Sequence, residues 1–316
     1  MSSAGLEPPS GTRDLLAAEA ERRQQAFAAI RATFARYGYE PLETPAFERL
    51  ELLAGKYGEA GEKLIFKILR RGEHEKSGEA DLALRYDLTV PLARVASRLW
   101  GRLPTPYKRY AIGPVWRADR PGSGRFREFY QCDLDQVGSA SPLADAEVVV
   151  AVGDALDALG VPGWAFQVNS RRLLGGLAAE YGLPSEHFGG VLISIDKLDK
   201  VEPDAVVAEI VGRGVDADLA KALVSDLSAG DAAERVRARL ESSAEGGAGL
   251  AEVDGLLALV GAELGAERVR FVPRMVRGLD YYTGVIWEVT APGMPGSIAS
   301  GGRYDGLLAR LGGPDV

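Results

Sequence analysis

The sequence runs to 316 residues, 46% hydrophobic and 26% charged, enough to bury a full core as one large domain or two moderate ones. A net charge of −8 excludes a protein that coats nucleic acid along its whole surface, the single Cys132 excludes an internal disulfide, and two histidines, His74 and His187, exclude a Cys/His metal cage. No run of about 18 apolar residues could span a bilayer, and the opening MSSAGLEPPSGTRD lacks a secretion-signal pattern, so the expected location is cytoplasmic.

Residues 14–37 set Phe27, Ile30, Phe34 and Tyr37 at helical spacing, with Gly38 as the stop, and predict a long amphipathic helix. YEPLETPAFE follows as a short extended segment ended by Pro45, then short strands at 64–69 and 81–86 and a helix at 90–100. Two strands, 107–117 and 126–137, flank the turn ADRPGSGR and form an antiparallel hairpin with an arginine-rich loop. A helix at 142–159 and a strand at 164–169 come next. From 171 to 250 the sequence is rich in Ala, Asp and Val and reads as an inserted helical subdomain, closed by the linker-like SSAEGGAG at 242–249. A helix near 250–263 and strands at 268–273, 283–290 and 297–300 complete a core made of residues 1–170 and 251–316. Strands joined by such irregular connections indicate an α+β fold rather than a doubly wound α/β sheet.

Residues 101–130 carry seven cationic side chains (Arg102, Lys108, Arg109, Arg117, Arg120, Arg125, Arg127) against Asp119 and Glu128, a local excess that suits an anionic ligand. Neither histidine has a nucleophile or an orienting partner in its neighbourhood, RRGEHEKSGE or LPSEHFGG, so both read as surface residues and chemistry must come from elsewhere. In FYQCDLDQ, period-two alternation puts Gln131, Asp133 and Asp135 on one face and Tyr130, Cys132 and Leu134 on the other. Carboxylates on such a face attract an ammonium or an imidazole, while the neighbouring arginines attract an anion. LRYDLTVP, read as extended, sets Arg85, Asp87 and Thr89 on one side, although any half-buried strand shows such alternation. RMVRGLDYYTGVIWE pairs Tyr281 with Tyr282, which could wall a flat aromatic ligand or simply fill a sheet. The glycine-rich ASGGRYDGLLARLGG matches neither a P-loop nor a dinucleotide fingerprint.

Taken in order, these segments resemble the histidyl-tRNA synthetases, especially the eukaryotic and archaeal group, from about residue 8 to the end. PSGTRD is similar to the family's N-terminal signature, the helix with PLETPAFE to the dimer-forming motif 1, YKRYAIGPVWRADRPGSGRFREFYQCDLD to motif 2, and RGLDYYTG and GGRYDG to the histidine-specific segments. The resemblance implies a class II aminoacyl-tRNA synthetase core, mostly antiparallel sheet flanked by helices, that uses ATP with Mg²⁺, L-histidine and tRNA(His) and forms a homodimer through residues 14–48. It implies that Arg117 and Arg277 are catalytic, and that ATP is held by Arg117, Asp119, Arg125 and Phe129. Histidine would be held by Asp87, Leu88, Thr89, Arg117, Gln131, Asp135, Arg277, Tyr281, Tyr282 and Tyr304. The family's pattern continues into a third motif and an anticodon-binding domain, whereas LGGPDV follows closely on GGRYDG, so the expectation is a catalytic core without either. Two other readings of the resemblance are a non-catalytic histidine sensor, like the regulatory subunit of ATP phosphoribosyltransferase, and a pseudo-synthetase that senses tRNA. The arginines set beside a histidine pocket favour the enzyme.

Overall fold

The computed structural model describes residues 5–55, 61–72, 77–276, 281–294 and 296–316. The chain divides into two compact units, one of residues 1–140, 151–160 and 306–316, the other of 141–150 and 161–305.

In the first unit, α1 (Ala17–Arg36) buries Phe27, Ile30, Thr33 and Phe34, the stripe that its 3.6-residue period lines up. It ends where Gly38 takes φ +76°, so that the Gly38 N–H donates to the Ala35 carbonyl and the Tyr39 N–H to the Phe34 carbonyl, a Schellman closure. β1 (Glu40–Pro41) then lies parallel to β5 (Tyr107–Trp116), and β5 is antiparallel to β6 (Glu128–Val137) over its full length. One face of this sheet receives α1: the Phe27 ring lies 5.1 Å from Tyr130 and Phe34 lies 6.1 Å from Tyr110. The opposite face carries the odd-numbered residues of both strands, because successive side chains alternate.

A second small sheet of the unit has the order β2 (Phe47–Arg49), β4 (Ala80–Leu84), β3 (Lys67–Leu69), all antiparallel. The short α2 (Leu50–Leu53) follows β2, and α3 (Thr89–Leu99) buries Val90, Pro91, Leu92, Ala93 and Ala96. One expectation is corrected here. Residues 84–91 are not one extended stretch: β4 ends at Leu84, Asp87 Oδ1 accepts the Val90 N–H at 3.0 Å, and Thr89 is already the first residue of α3. An aspartate three residues before the amide it caps outcompetes the strand that the polar alternation suggested.

The second unit is built on a four-stranded sheet of order β10 (Ala299–Gly302), β9 (Val285–Thr290), β7 (Ala165–Ser170), β8 (Val269–Phe271). β7 and β8 are parallel, the other neighbours antiparallel, and a parallel pair needs a crossover. Helices supply it: α5 (Arg171–Glu180), α6 (Ser185–Ile195), α7 (Pro203–Gly212), α8 (Ala217–Ser228), α9 (Ala232–Leu240) and α10 (Ala244–Leu264), while α4 (Pro142–Ala158), of which this unit takes only the part up to Val150, comes before β7 in the chain. A T-shaped ladder of Trp164, Phe166 and Trp287 fills the sheet's core, with ring centroids 5.6 and 5.5 Å apart. The segment 242–249 is no linker. It enters α10, with Ser243 Oγ accepting the Gly246 N–H at 3.2 Å as a cap. Its glycines serve packing: a Cβ on Gly176 would strike the Gly246 backbone, and one on Gly249 would lie 2.6 Å from Leu173 Cα. Only residues without side chains let α5 and α10 cross this closely.

Candidate active site

The odd-numbered face of the β5–β6 pair gathers charge. Strand register sets Arg109 opposite Asp135, Ala111 opposite Asp133 and Gly113 opposite Gln131. Arg109 is wholly buried; its Nη2 lies 2.8 Å from Asp135 Oδ2 and donates to the Leu88 carbonyl at 3.0 Å. Leu88 packs with Ala111, Val115 and Phe129 on the same face, so the turn 87–89 lies against these strands. Burial pushes the Asp133 carboxyl up to about 7; Arg109 opposes this shift, and Asp135 and Asp87 add to it. Gln131 Oε1 is buried without a hydrogen-bond partner among the described residues, an acceptor suited to a ligand donor.

Arg117 stands where β5 runs into the arginine-rich loop. Its guanidinium lies over the Tyr86 ring at 4.3 Å and the Phe129 ring at 5.1 Å, and Nε donates to the Tyr86 carbonyl at 3.2 Å. An arginine held between two rings keeps its fork in one plane, ready for a phosphate or carboxylate. The loop turns tightly at Gly122–Arg125, with Gly124 at φ +71°. Arg125 is exposed and 3.8 Å from Asp119, a loose pair that leaves its donors available to solvent or ligand. The loop's base is tied to the N-terminal segment: the Arg127 N–H donates to the Gly11 carbonyl at 2.7 Å, Arg127 Nε to the Asp119 carbonyl at 3.0 Å, and Arg13 lies over the Phe126 ring.

In the second unit Tyr281 and Tyr282 meet edge to face at 5.0 Å, and Tyr304 lies 6.0 Å from Tyr281. Tyr281 is buried and Tyr282 partly exposed. The Thr283 N–H donates to the Arg303 carbonyl at 2.8 Å, which joins the tyrosine segment to GGRYDG. Arg303 is in turn anchored by Asp145 at 2.5 Å, whose carboxyl burial pushes up while the Arg303 hydrogen bond pulls it down. Buried Asn169 donates to the Pro273 and Met275 carbonyls at 2.8 and 3.0 Å, fixing the chain that leads toward Arg277. Arg277 itself lies outside the described residues, as does His74.

The structure thus gathers Asp87, Leu88, Thr89, Arg117, Asp119, Arg125, Phe129, Gln131 and Asp135 in the first unit and Tyr281, Tyr282 and Tyr304 in the second. Arg85 does not join the ligand-facing set. Its Nε donates to the Pro114 carbonyl and Nη1 to the Thr44 carbonyl, each at 2.8 Å, and the missing side chain of Gly113 makes room for it. His187 is partly buried and packs beside Gly214. Burial pushes the Cys132 thiol up to about 12, away from the thiolate form. Sequence reasoning passed over Arg109, Asn169 and the Arg303–Asp145 pair. Arg109 stands in the basic cluster of the sequence, but only the strand register of the folded hairpin sets it opposite Asp135. Among the described residues no cluster of His, Cys, Asp and Glu could hold a metal ion.

Fold and strand pair together define a class, the catalytic core of a class II aminoacyl-tRNA synthetase. A family model described as histidyl-tRNA synthetase matches residues 11–315. The histidine–tRNA ligase of Gloeobacter violaceus is 44% identical, over 96% of this chain and 70% of its own length. That of Aeropyrum pernix is 41% identical, over 98% and 70%. The crystal structure of histidyl-tRNA synthetase from Nostoc sp. PCC 7120 aligns with a TM-score of 0.81 at 28% identity, covering 96% of this chain and 70% of that one. The chain belongs to the histidyl-tRNA synthetase family.

Proposed function

We propose that this chain activates L-histidine with ATP and transfers it to tRNA(His). The observation that carries the reading is Arg117, clamped between Tyr86 and Phe129 at the end of the strand pair whose same face bears Gln131 and Asp135. Such a cation, beside acceptors for an ammonium or imidazole, suits a reaction between a carboxylate and a phosphate.

In this reading the histidine carboxylate attacks the α-phosphorus of ATP in line and pyrophosphate leaves; a terminal ribose hydroxyl of the tRNA then attacks the carbonyl carbon of the adenylate, the acyl–phosphate bond breaks and AMP leaves. ATP would bring Mg²⁺ bound to its phosphates. The protein supplies positioning and fixed charge rather than a strong base. Arg117 and Arg277 stabilise the charge at the α-phosphate, and Asp119, Arg125 and Phe129 hold the rest of the nucleotide. Asp87, Leu88, Thr89, Gln131 and Asp135 take the histidine ammonium and ring, with Tyr281, Tyr282 and Tyr304 as aromatic contacts. We further assign a homodimer through residues 14–48, a cytoplasmic location and a helical insertion at 171–250. No helix among the described residues is long and apolar enough to cross a membrane.

Amino-acid-dependent exchange of pyrophosphate into ATP, run with all twenty amino acids, tests the reading. Exchange with histidine alone is expected. Histidine binding without any exchange would make the chain a sensor on a synthetase fold.

A further inference from the structure

Arg109 is the largest wholly buried side chain of the first unit, and its position explains more than its own ion pair. A buried guanidinium is costly to desolvate and is a poor choice where stability alone is wanted, because an apolar residue of similar volume packs as well or better. This one touches two separate walls of the proposed amino-acid site. From the middle of β5, Nη2 reaches Asp135 on β6 at 2.8 Å and the Leu88 carbonyl at 3.0 Å. Leu88 stands between Asp87, whose Oδ1 fixes the start of α3 at the Val90 N–H, and Thr89, the first residue of that helix. One planar group therefore spans the turn 87–89 and the carboxylate of β6, segments far apart in sequence. It is also the cation at the end of an acidic face: Asp133, two residues before Asp135 on the same side of β6, feels Arg109 as its strongest attractive charge.

We infer that Arg109 is a positioning residue for the amino acid: it fixes the Asp135 carboxylate and the turn 87–89 relative to each other and balances the buried acids of that face. It touches neither the nucleotide contacts at Arg117 nor the loop at Asp119 and Arg125 in any hydrogen bond or ion pair among the described residues. Its loss should therefore be felt by histidine and not by ATP. The inference rests on the proposed adenylation reading, and its test separates the two.

Pyrophosphate exchange is measured for the wild-type chain and for Arg109→Met, Arg109→Lys and Arg109→Met/Asp133→Asn, with the KM of histidine and of ATP determined separately and folding checked by circular dichroism. Arg109→Met is expected to raise the histidine KM at least about tenfold, as misplacing a contact does, with the ATP KM within about twofold. Arg109→Lys keeps the charge without the planar fork and should fall between, with a histidine KM raised about threefold or more. The double variant removes one of the acids that Arg109 balanced, so it should recover part of the histidine affinity lost in Arg109→Met. Equal rises in both KM values, or a fall in kcat with the histidine KM unchanged, would overturn the inference. If Arg109→Met does not fold, Arg109→Lys decides by the same split. If the wild type shows no exchange, the adenylation reading is what fails, and the same variants compared for histidine binding by calorimetry decide Arg109 on the same fold-change scale.

Discussion

The strand pair of the first unit and the helices of the second use the same charged residues in opposite ways. On the β5–β6 face the pair Arg109–Asp135 is 0% and 9% exposed, and the acids beside it are crowded enough that burial raises Asp133. Among the helices, Arg237 and Asp254 meet with 37% and 50% of their side chains exposed, and the buried residues of α5–α10 are glycines, aliphatic side chains and the hydroxyl-bearing Ser194. The first region holds its geometry by buried charge and the second by close backbone approach. A buried charge is strongly destabilising to break because its partner is stranded, whereas a solvated pair is held in high dielectric and contributes little. On the β5–β6 face, charge is thus held inside the protein beside the site proposed for a charged ligand.

The largest effect that would test this contrast lies at Asp133. Its carboxyl is raised in the folded chain, to about 7, from an unfolded value near 3.9, so the folded state binds its proton more tightly. The stability this confers is complete below pH ~4 and is lost as pH rises through about 7, where the buried group must ionise. Asp133→Asn removes the titration. Its stability relative to wild type should grow by about 2–4 kcal/mol between pH ~4.5 and ~8, read from urea denaturation midpoints. A difference that stays flat with pH would mean that the face is not crowded by buried charge at all.

Next in size is a pair of substitutions in α10 with opposite signs. Gly249→Ala should cost about 1–3 kcal/mol, because the new Cβ would fall 2.6 Å from Leu173 Cα and force the helices apart. Gly247→Ala, two residues earlier in the same helix, meets only the Leu240 carbonyl at 4.0 Å and should gain up to about 1 kcal/mol from helix propensity. Thermal melts of the two variants check this. If both substitutions stabilise, the helical region does not depend on backbone closeness.

What could be read in the sequence follows the same division. The faces of β6 were legible because two-residue alternation is a local property, and Gln131 and Asp135 needed only parity to share a side. Arg109 was present in the basic cluster but silent in role, since the loop ADRPGSGR is too long for its turn type to set the strand register, and the register alone brings Arg109 to Asp135. Thr89 was misplaced by a pattern that two structures share: aspartate before a run of apolar residues is a helix cap as readily as a strand position. SSAEGGAG reads as linker-like because composition does not say which helix lies across its glycines. Arg303 and Asp145 stand 158 residues apart, and no local signal joins them. The order of the motifs, by contrast, was enough to point to the family that the comparisons establish.

The smallest expected effect falls on the exposed pair in the helices. Exchanging its charges, Arg237→Asp with Asp254→Arg, keeps one cation and one anion at a solvated site where each already meets water, so attraction is regained with little desolvation. Arg237 also lies over the Phe271 ring at 5.2 Å, and the exchange gives up that contact, worth about 0.5–1 kcal/mol at an exposed position. The double variant should therefore lose no more than about 1 kcal/mol, with each single variant also within about 1 kcal/mol, measured by chemical denaturation. A loss well above that would show that the helical region, too, holds its shape by specific charge, and the separation between the two regions would rest on packing alone.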